Sequence, residues 1–350
     1  MGEALPAHRA DAVADARTAN LRYVSDELPG IQRVNGKNGF RYRWPDGKAV
    51  RDRSTVERIK RLAIPPAYTG VWICPFPNGH IQATGRDARG RKQYRYHQRW
   101  REVRDASKFE RLLDFATALP RIRATVASDL HRHGMPKEKI LAAVVTLLET
   151  TLIRVGNDEY VRANDSYGLT TLRNAHVRVR GSHLRFRFRG KSGIPHQVDL
   201  HDRRLARIVE RCQDLPGQQL FGYVDENGDA VAIDSADVNE YIRAVSSDDY
   251  SAKDFRTWLA TVSCFQWLAA NPAESLSDRR HAVVEACRAV AKRLRNTPAI
   301  CRTCYIHPSV VERYLETGSL ASDPSDDLEE LSAAERLTLK LLRSSLRRQT

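Results

Sequence analysis

The sequence predicts an α+β protein in which a small β-rich unit precedes a larger, mostly helical region with its own antiparallel sheet. Three observations predict it. Turn-bounded, alternating segments crowd the stretch from Gly39 to His97. Long runs with helical spacing follow. A three-segment β patch between His176 and His201 then interrupts the helices before they resume. The expected organisation is a polar lead-in over residues 1–24, a β-rich domain over 25–100, and a helical domain over 101–350 that ends in an amphipathic tail with a basic tip.

The elements read as follows. GFRYRW (Gly39–Trp44) alternates and stops at Pro45-Asp46-Gly47. STVERIKRLAI is a short helix with Ser54 as its N-cap. VWICPFP (Val71–Pro77) is an apolar strand, and HIQATGRD and KQYRYH flank the hairpin connection Ala88-Arg89-Gly90. KFERLLDFATAL, PRIRATVASDLHRH and PKEKILAAVVTLLETTLIRVG have helical spacing, with Pro120 and Pro136 as early helix residues. HVRVR, HLRFRFRGKSG and HQVDLH form a meander. From Arg203 helices continue to the end.

The 350 residues include 57 Lys and Arg against 43 Asp and Glu, a formal charge of +14. Such a balance speaks of partners, and a polyanion is the leading one. In RYRW and RKQYRYHQRW the basic residues interleave with aromatics. This makes Arg41, Tyr42, Arg43, Arg91, Lys92, Gln93, Tyr94 and Tyr96 candidates for double-stranded DNA contacts, with His97 beside them. The plainer reading is a sheet with one solvated arginine face. The start of the chain has no secretory or myristoylation pattern, and the apolar run Ile140–Leu148 ends at Glu149, too short to cross a membrane. A cytoplasmic protein with reduced cysteines is expected. The sequence contains no G-x-x-x-x-G-K-[ST], no H-E-x-x-H and no acidic cluster of the two-metal kind. No cofactor and no metal site are expected, so any phosphoryl chemistry would use cations built into the chain.

Four segments line up in order: IRVGND with Arg154, FRGKSG with Lys191, KDFRTW with Lys253 and Arg256 one helical turn apart, and NTPAICRTCY with Asn296 nine residues before Tyr305. With RYRWPDGK, IPPAYTGVWICP, GRDARGRKQYRYH and YGLTTLRNAHV, this order resembles the type IB DNA topoisomerases, most closely the compact poxvirus-like bacterial branch. The resemblance runs from Gly39 to Tyr314. It implies a two-lobed clamp and a monomer associated with nucleoid DNA. It also implies an ATP-independent cycle of single-strand cleavage, rotation and religation. In that cycle Tyr305 is the nucleophile that forms a 3′-phosphotyrosyl bond and frees a 5′-hydroxyl. Arg154 and Arg256 stabilise the nonbridging oxygens, Lys191 is the general acid, Asn296 contacts an oxygen, Lys253 is an accessory cation and Tyr167 touches DNA.

The chemistry needs these residue types. A phenol ordinarily titrates near pH 10 and needs help as a nucleophile. Guanidinium groups offer a fixed fork of donors to a charge-rich transition state. A lysine desolvated beside other cations can give up a proton to the leaving oxygen. Taken singly, Arg154 reads as a helix cap, Lys191 as a hairpin-tip charge, Tyr305 as a core tyrosine and Asn296 as an N-cap; agreement of order, context and spacing favours the catalytic set. Two departures stand out. Poxvirus enzymes and most tyrosine recombinases carry histidine where Asn296 stands, and recombinases usually have His-x-x-Arg where this chain has Lys253-x-x-Arg256. Alternative readings are a tyrosine site-specific recombinase or a non-catalytic DNA-binding protein. Cys301 and Cys304, in C-x-x-C spacing without a second pair, read as packing residues before Tyr305, and His307 as a structural or capping residue.

Overall fold

The computed structural model describes the chain except residues 1–12, 14–15, 37–38, 88–89, 91, 158–160, 162–163, 321–327 and 348–350, and the side chains of 101, 103–108 and 110. The candidate Arg91, most of the lead-in, part of the connection after Asp87 and the last residues of the tail therefore lie outside the described residues. The chain forms two compact units, residues 1–108 and 109–350.

The first unit contains β1 (Ile31–Gly36), β2 (Gly39–Arg43), α1 (Arg53–Arg61), β3 (Thr69–Ile73), β4 (Ile81–Arg86) and β5 (Lys92–Tyr96). The strands make one antiparallel sheet in the order β2-β1-β3-β4-β5. β structure thus begins earlier than expected, because IQRVNG pairs with both β2 and β3. Ile31, Val50, Ile59, Val71, Ile73 and Ala83 make the core. Asp52, not Ser54, caps α1. Its Oδ2 accepts from the Thr55 N–H and from the Ser54 hydroxyl, both at 2.7 Å. A carboxylate is the stronger acceptor at a helix N-terminus, where the dipole also favours negative charge.

The second unit starts within α2 (Gln98–Leu130), which runs through Pro120 without a break. The expected helix start at Pro120 is overridden by packing. Phe115, Ala116, Leu119 and Ile122, on both sides of the proline, are buried in the same core, and together they outweigh a helix-interior proline's cost of about 3 kcal/mol. Pro136 is the N-cap of α3 (Lys137–Thr151) and lies just outside the helix. Then come β6 (Val177–Arg180), β7 (His183–Arg189) and β8 (Pro195–His201), the expected meander. α4 (Arg203–Gln213) is followed by an unexpected hairpin, β9 (Gly222–Val224) with β10 (Ala230–Ala232). Its strands are too short to show alternation; its turn is held by Asp225 Oδ1, which accepts from the backbone of Asn227 and Asp229 at 2.9 Å. The helices α5 (Ser235–Ser246), α6 (Ala252–Ala269), α7 (Leu276–Leu294), α8 (Pro298–Cys304), α9 (Pro308–Thr317) and α10 (Ala333–Leu346) complete the unit. No described helix is long and apolar enough to cross a membrane. The fold class is the α+β arrangement expected from the sequence.

The C-terminal helix packs on its own chain. Leu339 and Leu342 are buried, and Glu335 receives Arg123 at 2.7 Å and the Trp258 indole N–H at 3.2 Å. Arg123 also holds Glu149 at 2.5 Å. Burial alone would raise the Glu335 carboxyl, but Arg123 and the Ser332 cap outweigh it and hold it below the usual range. Glu335→Ala leaves Arg123 and Trp258 underpaired inside the core and is expected to destabilise the protein by about 3 kcal/mol, read by thermal or denaturant unfolding. Because the folded carboxyl titrates below its unfolded value, its contribution is present above the ordinary glutamate range. It is lost as pH falls through the folded value.

Candidate active site

α6 and α8 bring the central pair together. Arg256 lies on the buried face of α6 and is 4% exposed. Its Nη2 donates to the Leu294 carbonyl at the end of α7, 3.1 Å away. Its Nε and Nη1 are buried without a hydrogen-bond partner among the described residues. Its guanidinium carbon sits 5.6 Å from the centre of the Tyr305 ring. Burial pushes the Arg256 pKa down and the charge of Arg154 adds to this, while Tyr305 pulls the other way. The tyrosine side chain is thus near enough to favour the charged guanidinium by its charge and by a side-chain hydrogen bond, while Nε and Nη1 stay open. A buried cation with two open donors, pressed by a second cation, demands an anion.

Tyr305 follows α8 directly. The Thr297 hydroxyl caps α8, so Asn296 is not the cap. The backbone on both sides of Tyr305 is fixed. Its N–H donates to the Cys301 carbonyl at 3.0 Å, and its carbonyl accepts from Thr261 Oγ1 at 3.1 Å. Thr261 Oγ1 also accepts from the His307 N–H at 3.1 Å. Thr261 is fully buried on the helix that carries Arg256. Sequence reading missed it, because a threonine inside an apolar helix looks like core. His307 is a cap: its ring accepts from the Ser309 N–H at the start of α9, 3.2 Å away.

Arg154 does not end a helix. α3 stops at Thr151, Leu152 is left-handed at φ 58°, and Arg154 lies in the segment beyond. That segment packs on Gly168. A Cβ at Gly168 would lie 2.6 Å from the Arg154 carbonyl oxygen and from backbone atoms of Gly156, itself at φ 107°. The Leu169 N–H donates to the Arg154 carbonyl at 2.9 Å. Gly168→Ala must therefore move the backbone that carries Arg154. The expected result is strand cleavage slowed about tenfold or more in single-turnover assays with normal DNA binding.

Asn296 follows Arg295, a left-handed cap of α7, and its N–H donates to the Ala291 carbonyl at 3.0 Å. The link from Arg256 to Leu294 ties this stretch to the site. Lys253 is exposed one turn before Arg256. Lys191 is exposed in the turn between β7 and β8, so the desolvated setting expected for it is not built by the folded chain alone. Of the cysteines, Cys301 is core and burial pushes its thiol up to about 11, whereas Cys304 is exposed and not a packing residue.

Among the DNA candidates of the first unit, Arg41 and Arg43 are exposed while Tyr42 packs on the core. Lys92, Tyr94 and Tyr96 share the exposed side of β5, the two rings stacked at 5.8 Å. Lys92 is ion-paired to Asp26 at 2.7 Å. Gln93 points the other way and donates to Asp87 at 3.1 Å. His97 accepts from the Arg99 N–H at the start of α2, 3.2 Å away.

In the second unit Tyr167 donates to Asp165 at 2.8 Å and lines a groove with Arg187, Arg189, His196 and Arg295. A neighbouring groove shares Arg187 and adds Arg178, Arg180 and Arg185. Arg178 stands directly across from Arg185, and Asp199 pairs with Arg185 at 2.5 Å. Like charges opposite one another are unfavourable unless an anion covers them. This face was missed because strand alternation alone explains arginines at every second position.

Residues 97–330 match the family described as eukaryotic DNA topoisomerase I, catalytic core, and residues 39–87 match the bacterial DNA topoisomerase IB N-terminal domain. The chain is 30% identical over 295 residues to DNA topoisomerase 1B of Acanthamoeba polyphaga mimivirus, covering 82% of this chain and 88% of that one. The chain belongs to the type IB DNA topoisomerases. Similarity within the family extends to DNA topoisomerase 1B of vaccinia virus (strain Copenhagen), 21% identical over 65% of this chain and 70% of that one. It extends also to DNA topoisomerase 1 of rabbit fibroma virus (strain Kasza), 23% identical over 77% and 88%. A type IB enzyme works on a phosphodiester, the anion that the open donors of Arg256 beside Tyr305 call for.

Proposed function

We propose that this chain relaxes supercoiled double-stranded DNA as a monomer, without ATP or a metal ion, acting on nucleoid DNA in the cytoplasm. The Tyr305 hydroxyl loses its proton to solvent and its oxygen bonds to phosphorus. The bond from phosphorus to the 5′ oxygen breaks, and Lys191 supplies the proton that leaves with the 5′ hydroxyl. Rotation follows, and the reverse reaction reseals the strand, so the bond energy is conserved. Arg256 and Arg154 take the negative charge that builds on the nonbridging oxygens. Asn296 donates one further hydrogen bond, and Lys253 adds charge at the rim. Arg41, Arg43, Tyr94, Tyr96, Tyr167 and the arginines of β6 and β7 hold the backbone of the duplex.

The observation that carries this reading is the buried Arg256, with two open donors next to Tyr305 and within reach of the charge of Arg154. Relaxation of plasmid DNA in chelator without ATP tests it; supercoils of both signs should be removed, and a requirement for ATP or for added metal sinks it. The recombinase reading needs a C-terminal segment that reaches a neighbouring protomer. Docking of α10 on Arg123 and Trp258 of its own chain speaks against that. Incubation of two marked duplexes should accordingly give relaxation with no strand exchange.

A further inference from the structure

Beneath the Lys191 turn lies a histidine that the reaction as described does not use. His196, on β8, is 6% exposed. One face of its ring stacks on Phe188, with centres 4.7 Å apart and planes 18° off parallel. Its Nε2 and Cδ2 lie against Gly190 so closely that a Cβ at that position would collide with both atoms. Gly190 immediately precedes Lys191 and closes the turn. The Gly190 N–H donates to the Ile194 carbonyl at 2.8 Å, and the Gly193 N–H donates to the Gly190 carbonyl at 3.0 Å. Within the turn Ser192 and Gly193 are both left-handed, at φ 65° and 73°. A serine rarely adopts that backbone unless its surroundings enforce it.

Nε2 of His196 is buried and has no hydrogen-bond partner among the described residues. Buried nitrogens without partners are uncommon and cost stability. A phenylalanine would stack on Phe188 without that cost, so the nitrogen points to a task other than packing. Burial first, then the charges of Arg295, Arg154 and Arg256, hold the imidazole neutral by lowering its pKa to about 4. The same three arginines place the ring at the edge of the catalytic cluster. A neutral ring there adds no repulsion to an already crowded set of cations.

We propose that His196 is a positioning residue for Lys191: its neutral imidazole supports the Gly190–Gly193 turn, and its Nε2 forms a hydrogen bond with that turn once DNA is engaged, fixing Lys191 Nζ toward the departing 5′ oxygen. His196 touches no reacting atom and acts through the lysine. The proposal rests on the reading of Lys191 as general acid.

Single-turnover cleavage of two strands tests it, one with the ordinary 5′ oxygen and one with sulfur at that bridging position, whose thiolate departs without a proton. His196→Phe should bind DNA as the parent does, melt at the same or a higher temperature, and cleave the oxygen strand about ten- to a hundredfold more slowly. On the sulfur strand its rate should return to that of the parent. His196→Gln, which puts an amide nitrogen near the place of Nε2, should recover most of the rate on the oxygen strand. The proposal is overturned if His196→Phe cleaves the oxygen strand at the parental rate, or if it is slowed equally on both strands. Lys191→Ala on the same strands separates the two layers. Failure of sulfur to rescue it removes the general-acid reading and this proposal together. Rescue of Lys191→Ala without rescue of His196→Phe removes this proposal alone.

Discussion

Tyr305→Phe is expected to bind DNA with parental affinity and to form no covalent adduct, seen as the absence of a shifted protein band on a denaturing gel. The change removes one oxygen and little else. The backbone around residue 305 is held by the Cys301 carbonyl and by Thr261, and the ring that faces Arg256 stays in place. The loss should be complete rather than partial, because among the described residues the neighbouring tyrosine is already engaged elsewhere. Tyr314, the next along the chain, is fully buried and its hydroxyl is engaged by the Asn271 carbonyl. An adduct in the phenylalanine variant removes the assignment.

Lys191→Ala is expected to slow cleavage by roughly 10²–10⁴-fold while leaving the fold intact. The side chain is exposed in a surface turn, so its removal opens no cavity. An alkoxide is a poor leaving group, and the loss of its proton donor should appear in the cleavage step. A bridging sulfur needs no proton and should restore the rate. A defect that persists with sulfur would make Lys191 an electrostatic contact only. Because the chain does not bury this lysine, bound DNA must supply its desolvation, so cleavage rather than binding should report the lysine's proton.

The proposed catalytic set stands out in the sequence because the chemistry asks for particular residue types in a fixed order along the chain: Arg154, Lys191, Arg256, Asn296, Tyr305. The residues that position them do not. Gly168 matters because the backbone of Arg154 and Gly156, distant in sequence, passes within contact distance, and no local pattern encodes that. Thr261 reads as an ordinary helix residue until the backbone of Tyr305 and His307 is seen to meet its hydroxyl. The strand alternation of β7 and β8 was readable, but the same alternation hid His196 among the inward residues. Pro120 misled because a local rule for helix starts competes with burial on both flanks. Ser54 misled because Asp52, two residues earlier, is the better acceptor. Asn296 lies between the end of α7 and the Thr297 cap of the helix that leads to Tyr305. Its amide can donate to an oxygen but cannot exchange a proton near neutral pH, which is why the proposed reaction gives proton transfer to Lys191.

The central claim is a covalent bond between Tyr305 and the 3′ phosphate of a cleaved strand. The most direct measurement traps the protein on a nicked or truncated duplex that cannot religate, digests the complex with a protease, and identifies by mass spectrometry the peptide that carries the nucleotide and the DNA end to which it is joined. The account predicts the peptide containing Tyr305, joined to a 3′ phosphate, with a free 5′ hydroxyl on the released strand. A nucleotide on any other residue, or a bond to the 5′ end, would contradict it.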